Sequence, residues 1–555
     1  MTGTRPIVAR MAKLKYMTVP DAERRDPVSS AGRVPARERR LAASGYAAKM
    51  ARFGALCLAG FLCAAAAGVT SLALAGAASR PTVVLTVSTT ADVVNGNVSS
   101  PAALIAHPGP DGISLREAIT AANHASGHVK ITFARALAGK TLTPKTYFPA
   151  FTHGNTALIG LTTNGQPAVT IDGARLPGRP VKPGTGMATL FAPFNVYASN
   201  VSIMHLHITD VHNSGPVIFV SAAQTPRSQH QLSGDQIEFN ILDPGSYQAS
   251  GPTSQRNVTV GIALGTFGSP GAVKNGSVIN ATIAHNVIRG FSGDAINAGP
   301  GGVNCSVKGL LIEDNTFENL NNAGGPAVEL SINFSHNSIT GTRILRNTFT
   351  GNWAALGLTG SAQGDDNVLS NTLISQNVFD GNSAALDISL TYGNGKGNAV
   401  LNTTISNNIF THNEPHGALG IGGAGGNSNN NRIDGLQIVN DTFAFNDGAL
   451  VFPARLGSNN QALNVKVQNS IFWMNGSHFG DMGGPAFSMT PLTIITSLIG
   501  VDPLFVSAQD VHLQAGSPAI NAGTASGAPR VDIDNGLRDS SPDIGAYEFG
   551  AAPRP

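Results

Sequence analysis

A six-residue phrase, Asn-x-Phe-x-x-Asn, recurs at a nearly fixed interval in the second half of this chain. Three copies are complete and three match loosely: NTFTGN at 347–352, NVFDGN at 377–382, NIFTHN at 408–413, NTFENL at 315–320, DTFAFN at 441–446 and SIFWMN at 470–475. The steps between successive phenylalanines are 32, 30, 31, 33 and 29 residues. A period in this range is typical of a solenoid, in which each unit buries its apolar face by stacking on its neighbours.

Within each unit, the apolar residues alternate at period two, as in Leu386-Asp387-Ile388. Helical repeats would place them at three- to four-residue spacing. Gly and Asn crowd the intervals, where the backbone needs tight bends and positive φ. The sequence therefore predicts an all-β fold, a parallel β-helix with two or three short strands per turn and turns about 4.8 Å apart.

The repeated phrase predicts two internal columns. We expect Phe to stack on Phe inside the coil and Asn to stack on Asn at a bend. An inward Asn can satisfy backbone groups that would otherwise be unpaired at each corner. The repeated residues are thus predicted to be structural, and function is expected at the positions that vary between units.

Charge separates the N-terminus from the rest of the chain. Residues 1–52 contain 12 Lys and Arg against 4 Asp and Glu, so the remainder has 23 against 29 and is mildly acidic. A nucleic-acid binder would need a basic face with interleaved aromatic residues, so this class is disfavoured. Only Cys305 lies beyond the N-terminal apolar run, which excludes a disulfide framework and a cysteine metal site in the repeats.

The N-terminus has the pattern of an export signal. An apolar run at 53–78 follows Lys49 and Arg52 and ends in the small residues Ala75-Gly76-Ala77. A basic region, an apolar region and an A-x-A site are typical of a cleaved secretory signal. The run is also long enough to remain as a membrane anchor, which would be the chain's membrane contact. Met50 is an alternative start.

The segment 111–133 predicts a helix followed by the first strand. Ser114 to Asn123 forms an amphipathic pattern, in which Ser114 and Glu117 match a capping box. Val129–Phe133 alternates as a strand does. An open end of a β-helix invites edge-on aggregation, so a helix that covers it is expected.

The phrase GISLREAI at 112–119 resembles the CSLREAI domain of bacterial secreted β-helix proteins, which follows the signal in that family. Ile113 stands where the family has its cysteine, so no thiol role carries over. The resemblance implies a short N-terminal capping helix. Arg116 and Glu117 are then expected to anchor the cap rather than to catalyse.

A second set of recognisable sequence motifs lies near the C-terminus. VDPLF at 501–505, HLQAGSPAINAG at 512–523 and PDIGAYE at 542–548 together resemble the choice-of-anchor Q segment of many such bacterial proteins. Asp532 and Asp534 are spaced like part of a calcium loop but lack its remaining ligands. The alternatives are a Ca²⁺ site at these two residues and an Asp-rich turn in which Arg538 pairs with a carboxylate.

The two resemblances imply a secreted or surface-exposed, right-handed parallel β-helix of the pectate-lyase-like superfamily. The expected organisation is given by five ranges: a basic leader at 1–52, a signal or anchor at 53–78, an N-terminal cap at 79–150, β-helix repeats at 151–500 and the C-terminal segment at 501–555. We expect a monomer. The polygalacturonase motif is represented only by fragments such as Gly293-Asp294 and His416-Gly417, and the lyase pattern of clustered calcium-binding acids with a catalytic Arg is not visible.

Alignment of the units on the strand after each Phe places five residues at one outward position: Asn297, Glu329, Gly357, Asp387 and Gly420. Glu329 and Asp387, two turns apart, are expected to lie roughly 9–10 Å apart, near the upper end of the carboxyl separation in inverting glycosidases. They are the catalytic candidates, one protonating a leaving oxygen while the other activates water. Asn297 and His416 are the substrate-binding candidates. Alternatively, the acids only face solvent.

Two classes of function follow. The first is a non-catalytic, exported protein that binds glycans, mediates adhesion or forms part of the envelope. The second is a secreted polysaccharide hydrolase or lyase with an acid-lined groove on the flank of the β-helix. Neither class requires a cofactor beyond the possible Ca²⁺, and a polysaccharide is the expected partner of both.

Overall fold

A computed structural model describes residues 82–552 except for internal segments at 178–191, 212–214, 223–230, 246–259, 267–272, 321–324, 333, 360–363, 390–394, 423–427, 453–457 and 482–491. All described residues fall in one compact unit, Ala77–Pro555. The predicted leader and the apolar run at 53–78 lie outside the described residues. No helix in the described ranges has the length and apolarity needed to cross a bilayer.

The strands of the described residues form four long parallel sheets of 13, 12, 10 and 8 strands. Each strand pairs with the strand one turn earlier and the strand one turn later. The fold is therefore an all-β parallel β-solenoid, as the repeat period predicts. The prediction of two or three strands per turn is too low for most turns, because a fourth strand of three residues forms at a bend that the apolar pattern marks only weakly.

We number the sheets in the order of their first strands. Sheet 1 contains Val83–Val87, Val129–Phe133, Thr156–Ile159, Val201–Met204, Gln236–Glu238, Thr282–Ala284, Leu311–Glu313, Arg343–Leu345, Leu373–Ser375, Thr404–Ser406, Gln437–Val439, Lys466–Gln468 and Thr493–Ile495. Sheet 2 contains Lys140–Leu142, Val169–Asp172, His207–Thr209, Ile241–Leu242, Val287–Arg289, Thr316–Glu318, Thr348–Thr350, Val378–Asp380, Ile409–Thr411, Thr442–Ala444, Ile471–Trp473 and Leu498–Ile499.

The other two sheets complete the turns. Sheet 3 contains Phe194–Val196, Pro216–Ser221, Val260–Gly265, Ile296–Gly299, Val328–Ser331, Ala354–Thr359, Ala384–Ile388, Leu419–Ile421, Gly448–Phe452 and Ser477–Asp481. Sheet 4 contains Gln231–Ser233, Ser277–Ile279, Ser306–Lys308, Ser338–Thr340, Val368–Ser370, Ala399–Leu401, Arg432–Asp434 and Gln461–Leu463. A separate antiparallel pair joins Thr162–Thr163 to Gln166–Pro167.

The repeated phenylalanines form one internal column, as predicted. Their rings stack face to face from Phe317 to Phe472, with centroids 4.7–5.0 Å apart. Each ring is fully buried. The ring spacing equals the spacing of parallel strands, so the column holds successive turns in register.

The repeated asparagines form inward ladders at three bends. The ladder between sheets 1 and 2 runs through Asn240, Asn286, Asn315, Asn347, Asn377, Asn408 and Asp441. The ladder between sheets 2 and 3 runs through Asn352, Asn382, Asn413, Asn446 and Asn475. A third, before sheet 4, runs through Asn337, Asn367, Asn398, Asn431 and Asn460. These side chains pair buried backbone groups at the corners, which confirms the predicted structural role.

The N-terminal cap is continuous with the solenoid. Two helices, Pro101–Ala106 and Leu115–Ala122, lie between the first two strands of sheet 1. Ser114 and Glu117 form the predicted capping box. Two 3₁₀ turns follow, at Arg135–Leu137 and Gly173–Arg175.

Arg116 and Glu117 anchor the cap through different partners. The Arg116 guanidinium donates to both carboxylate oxygens of Asp92, at 2.8 and 3.0 Å. The carboxylate of Glu117 accepts the backbone N–H groups of Asn95, Gly96 and Ser114. Both residues are therefore committed to holding the cap.

The C-terminal segment, residues 501–552, lies along the solenoid instead of extending it. It contains no regular helix or strand among its described residues, only bridges between Phe505 and Leu513 and between Val531 and Leu537. Four residues at the bend between sheets 1 and 2 donate to its backbone carbonyls from their side-chain amides: Gln376, Asn407, Asn440 and Asn469. The segment therefore spans several successive turns.

Candidate functional site

The five residues predicted to share one outward position do share it. Strand pairing on sheet 3 aligns Asn297 with Glu329, then Gly357, Asp387 and Gly420, one residue per turn. We call these five residues the outward row. Their flanking residues on each strand, such as Val328 and Leu330, are buried in the core. Because side chains alternate along a strand, the row must face away from the coil.

The polar side chains of the outward row are held by neighbouring groups. The Asn297 amide donates to the carboxylates of Asp294 and Glu329, at 2.9 Å in each case. The Ser389 hydroxyl donates to Asp387 at 2.6 Å. Each half-buried acid therefore has a fixed orientation on the face of sheet 3, which favours recognition of a ligand at little further ordering cost.

The two acids of the row are separated by one residue that has no side chain. Gly357 lies between Glu329 and Asp387, and Gly420 follows Asp387. Two strand spacings place the acid backbones roughly 9–10 Å apart. The row thus places a carboxylate on each side of Gly357, which is itself buried.

An aromatic pair lies at the edge of the same sheet. The rings of Trp353 and His416 meet edge to face, with centroids 5.6 Å apart, and both side chains are exposed. Trp353 immediately precedes the strand of Gly357, and His416 lies just before the strand of Gly420. The pair thus presents exposed ring surface four residues before the outward row, roughly 13 Å away along the strand direction. Trp473, by contrast, belongs to sheet 2.

Sequence reasoning missed three members of this site. In the sequence, Asp294 belongs only to a fragment of the polygalacturonase motif, and Ser389 gives no signal because it acts through Asp387. Trp353 was not assigned to a face, because its ring contact depends on a residue two turns later. Its position directly after a ladder residue, Asn352, is the signal that places it at the start of a sheet 3 strand.

The predicted calcium residues form a turn. The Asp532 carboxylate accepts the backbone N–H groups of Asp534, Gly536 and Glu548. Arg538 pairs with Glu548 at 3.0 Å. The described residues contain no cluster of three or more His, Cys, Asp or Glu with metal-binding geometry. The contacts at Asp532 therefore favour the Asp-rich turn over a Ca²⁺ site.

Comparison with known proteins gives matches at the level of structure only. No family model matches the chain, and no curated protein matches it. Solved structures similar to it include pectate lyase Pel9A, at 14% identity over 84% of this chain and 96% of that one, with a TM-score of 0.37. Another is a mannuronic acid specific polysaccharide family 6 lyase from human gut microbiota, at 11% identity over 70% and 81%, with a TM-score of 0.37.

A surface adhesin of Streptococcus pneumoniae, PfbA, is also similar, at 12% identity over 73% of this chain and 94% of that one, with a TM-score of 0.34. At such identities and TM-scores, none of these similarities assigns a function or a site residue to this chain. The function has to be argued from the residues on sheet 3.

Proposed function

We propose that the outward face of sheet 3 binds an extended glycan, and that the protein is exported to the cell surface or the extracellular space as an adhesion or envelope component. The observation that carries the proposal is the register of the outward row. It brings Asn297, Glu329 and Asp387 into one line, with Gly357 between the two acids.

The chemistry of this face suits a sugar chain. Carboxylate oxygens and the side-chain oxygen of Asn297 accept hydrogen bonds from sugar hydroxyls. The exposed pair of Trp353 and His416 offers an apolar surface against which the C–H face of a sugar ring can pack. A row that runs across successive strands of a solenoid is also long enough for several sugar units.

Export rests on the sequence of the N-terminus. The basic residues before 53 and the apolar run that follows have the order of a secretory signal. An exported protein would meet its glycan ligand outside the cell. Together these features support a surface role.

The alternative function is hydrolysis. It is favoured by one observation, the spacing of Glu329 and Asp387 on strands two turns apart. In an inverting mechanism, one carboxyl group protonates the leaving oxygen while the other activates water, across a gap of about 6.5–9.5 Å. Two strand spacings amount to roughly the upper end of this range, which supports the alternative.

One experiment separates the two functions. The purified protein is presented with a panel of polysaccharides, and both retention of the protein and release of reducing ends are measured. Binding without product supports the glycan-binding function, and the Glu329→Gln, Asp387→Asn double variant should then bind roughly tenfold more weakly. Asp366→Asn is the control, because this exposed acid lies away from the row.

Several outcomes would contradict the proposal. Retention on no polysaccharide contradicts glycan binding. Retention that the double variant leaves unchanged contradicts the assignment to the outward row. Release of reducing ends by the wild type but not by the double variant establishes glycan cleavage instead, whereas release by both excludes these two acids as its catalysts.

A further inference from the structure

A cavity lies on a different sheet from the outward row. It opens between sheet 2 and the C-terminal segment and has a volume of about 510 Å³. This volume is within the range of small-molecule sites. We call it the C-terminal cleft. Two successive strands of sheet 2, Val378–Asp380 and Ile409–Thr411, form one wall, and residues 509–512 with Tyr547 form the other.

The walls combine apolar and aromatic surface. Val378 and Ile409 lie side by side on the sheet, one turn apart. Opposite them, the rings of His512 and Tyr547 stack with their centroids 3.6 Å apart. Small-molecule sites typically pair such apolar surface with a few fixed polar groups.

The polar groups of the cleft are two histidines held by carboxylates. Asp380 Oδ1 accepts from the Thr411 hydroxyl at 2.8 Å and contacts His412 Nδ1 at 2.9 Å. His512 faces Asp510 through Nδ1 and Asp534 through Nε2. Because both ring nitrogens of His512 meet carboxylates, the protonated ring is the form that satisfies them.

The charge balance of the cleft is negative. Burial lowers the pKa of His512, but its hydrogen bonds to Asp510 and Asp534 outweigh this and raise the pKa above its ordinary value. Burial raises the pKa of Tyr547, so the phenol stays neutral and can donate. Three carboxylates, those of Asp380, Asp510 and Asp534, face two histidines, so negative charge is in excess even with both rings protonated.

The carboxylates of the cleft retain oxygen atoms that can accept hydrogen bonds from a ligand. The hydrogen bonds of Asp380 in the described part of the chain use only its Oδ1. Those of Asp510 likewise use only Oδ1. With Nδ1 bonded to Asp380, His412 has Nε2 as its second nitrogen on the cleft wall. The cleft therefore offers acceptor atoms above an apolar floor.

We propose that the C-terminal cleft binds a small organic cation, an amine-bearing ligand with an apolar or sugar-ring body. The ammonium group would pair with Asp380 and Asp510, and the body would pack on Val378, Ile409 and Tyr547. A neutral ligand of the same shape would leave the excess negative charge uncompensated and would bind more weakly.

Titration calorimetry with D-glucosamine and D-glucose on the full protein tests this proposal, because the two differ at a single amine. At pH 7 and low salt, glucosamine should bind at least about tenfold more tightly than glucose, and added salt should weaken it. Asp380→Asn and Asp510→Asn should each weaken glucosamine binding roughly tenfold. Asp366→Asn, on the other side of the solenoid turn, should leave it unchanged.

Cadaverine serves as a second probe, without a sugar ring. The proposed site is supported if the wild type binds either amine and the Asp380 and Asp510 variants do not. Thermal unfolding must show that both variants are folded. Equal affinity for glucose and glucosamine would overturn the proposed charge recognition. Absence of saturable binding of both amines, or binding that both variants retain, would overturn the site.

Discussion

Oδ1 of Asn377 accepts two hydrogen bonds from Asn347, one turn earlier: the backbone N–H at 2.8 Å and the side-chain amide at 3.0 Å. The Asn377 amide in turn donates to the carbonyl of Ile344 at 2.9 Å. A single side chain thus completes the backbone pairing of a buried corner. The same geometry recurs along the ladder between sheets 1 and 2.

Replacement of Asn377 by alanine should therefore destabilise the solenoid strongly. The variant leaves the Asn347 N–H and the Ile344 carbonyl buried without their partner, which costs about 2–5 kcal/mol in the free energy of unfolding. Urea denaturation measures the loss. Thr348→Ala is a matched control, because Thr348 is a half-exposed strand residue next to the ladder. Equal effects of the two variants would contradict the ladder's role.

Asp441 makes stability depend on pH. It occupies a ladder position where an Asn is otherwise found, and burial raises its pKa to about 7. Because the carboxyl pKa is higher in the folded than in the unfolded state, the folded state is stabilised while the group is protonated. The free energy of unfolding is therefore highest below about pH 4 and falls as the pH rises to about 7. The loss is up to about 4 kcal/mol.

Unfolding measured between pH 4 and 8 should show this slope, and Asp441→Asn should flatten it. Burial also raises the pKa of Asp235 to about 7, so part of the slope should remain until Asp235→Asn is added. A slope that the double variant leaves unchanged would refute the assignment to these two acids.

The C-terminal segment should detach when its internal ion pair is broken. The side chains of Arg538 and Glu548 are only 2% and 6% exposed, so Arg538→Gln leaves a buried carboxylate unpaired, at a cost of about 3–5 kcal/mol. Limited proteolysis should then cut within 501–552 while the solenoid persists. Arg530→Gln, at an exposed position, is the control. Unchanged protease resistance in Arg538→Gln would show that the pair does not hold the segment.

Trp353 should contribute to glycan retention. Loss of its exposed ring in Trp353→Ala should weaken binding roughly tenfold, since exposed tryptophans are frequent energetic centres of recognition. Affinity electrophoresis in the bound polysaccharide measures the change. Trp473→Phe, on sheet 2, should have no effect. Equal glycan affinity of the two variants would show that the Trp353 ring does not contribute to the binding face.

Sequence periodicity predicts the scaffold well because every turn has the same requirements for core packing and for pairing of backbone groups at its corners. The phenylalanine column, the asparagine ladders and the helix at Leu115–Ala122 follow from spacing and capping alone. The outward row is also predictable, since its register is inherited from the buried residues on either side. The fourth strand is not, because the residue at its buried centre varies between turns, as in Val307, Ile339 and Leu369, and so gives no repeated signal.

The contacts of the C-terminal segment could not be predicted, because they join residues far apart in sequence. Gln376 and Asp532 are an example. A partial signal exists in hindsight. The residue before each ladder position changes from His285 and Asp314 to the amides Gln376, Asn407 and Asn440 where the segment docks. The C-terminal cleft could not be predicted either, because its two walls also come from residues far apart in sequence.

The way in which the C-terminal segment lies across the turns has a mechanical consequence. Each turn of a solenoid otherwise touches only its nearest neighbours, so a pull on the end could unravel turns one at a time. Here the amides of Gln376, Asn407, Asn440 and Asn469 tie the C-terminal segment to four successive turns. A load on the C-terminus is shared among these turns before any of them opens.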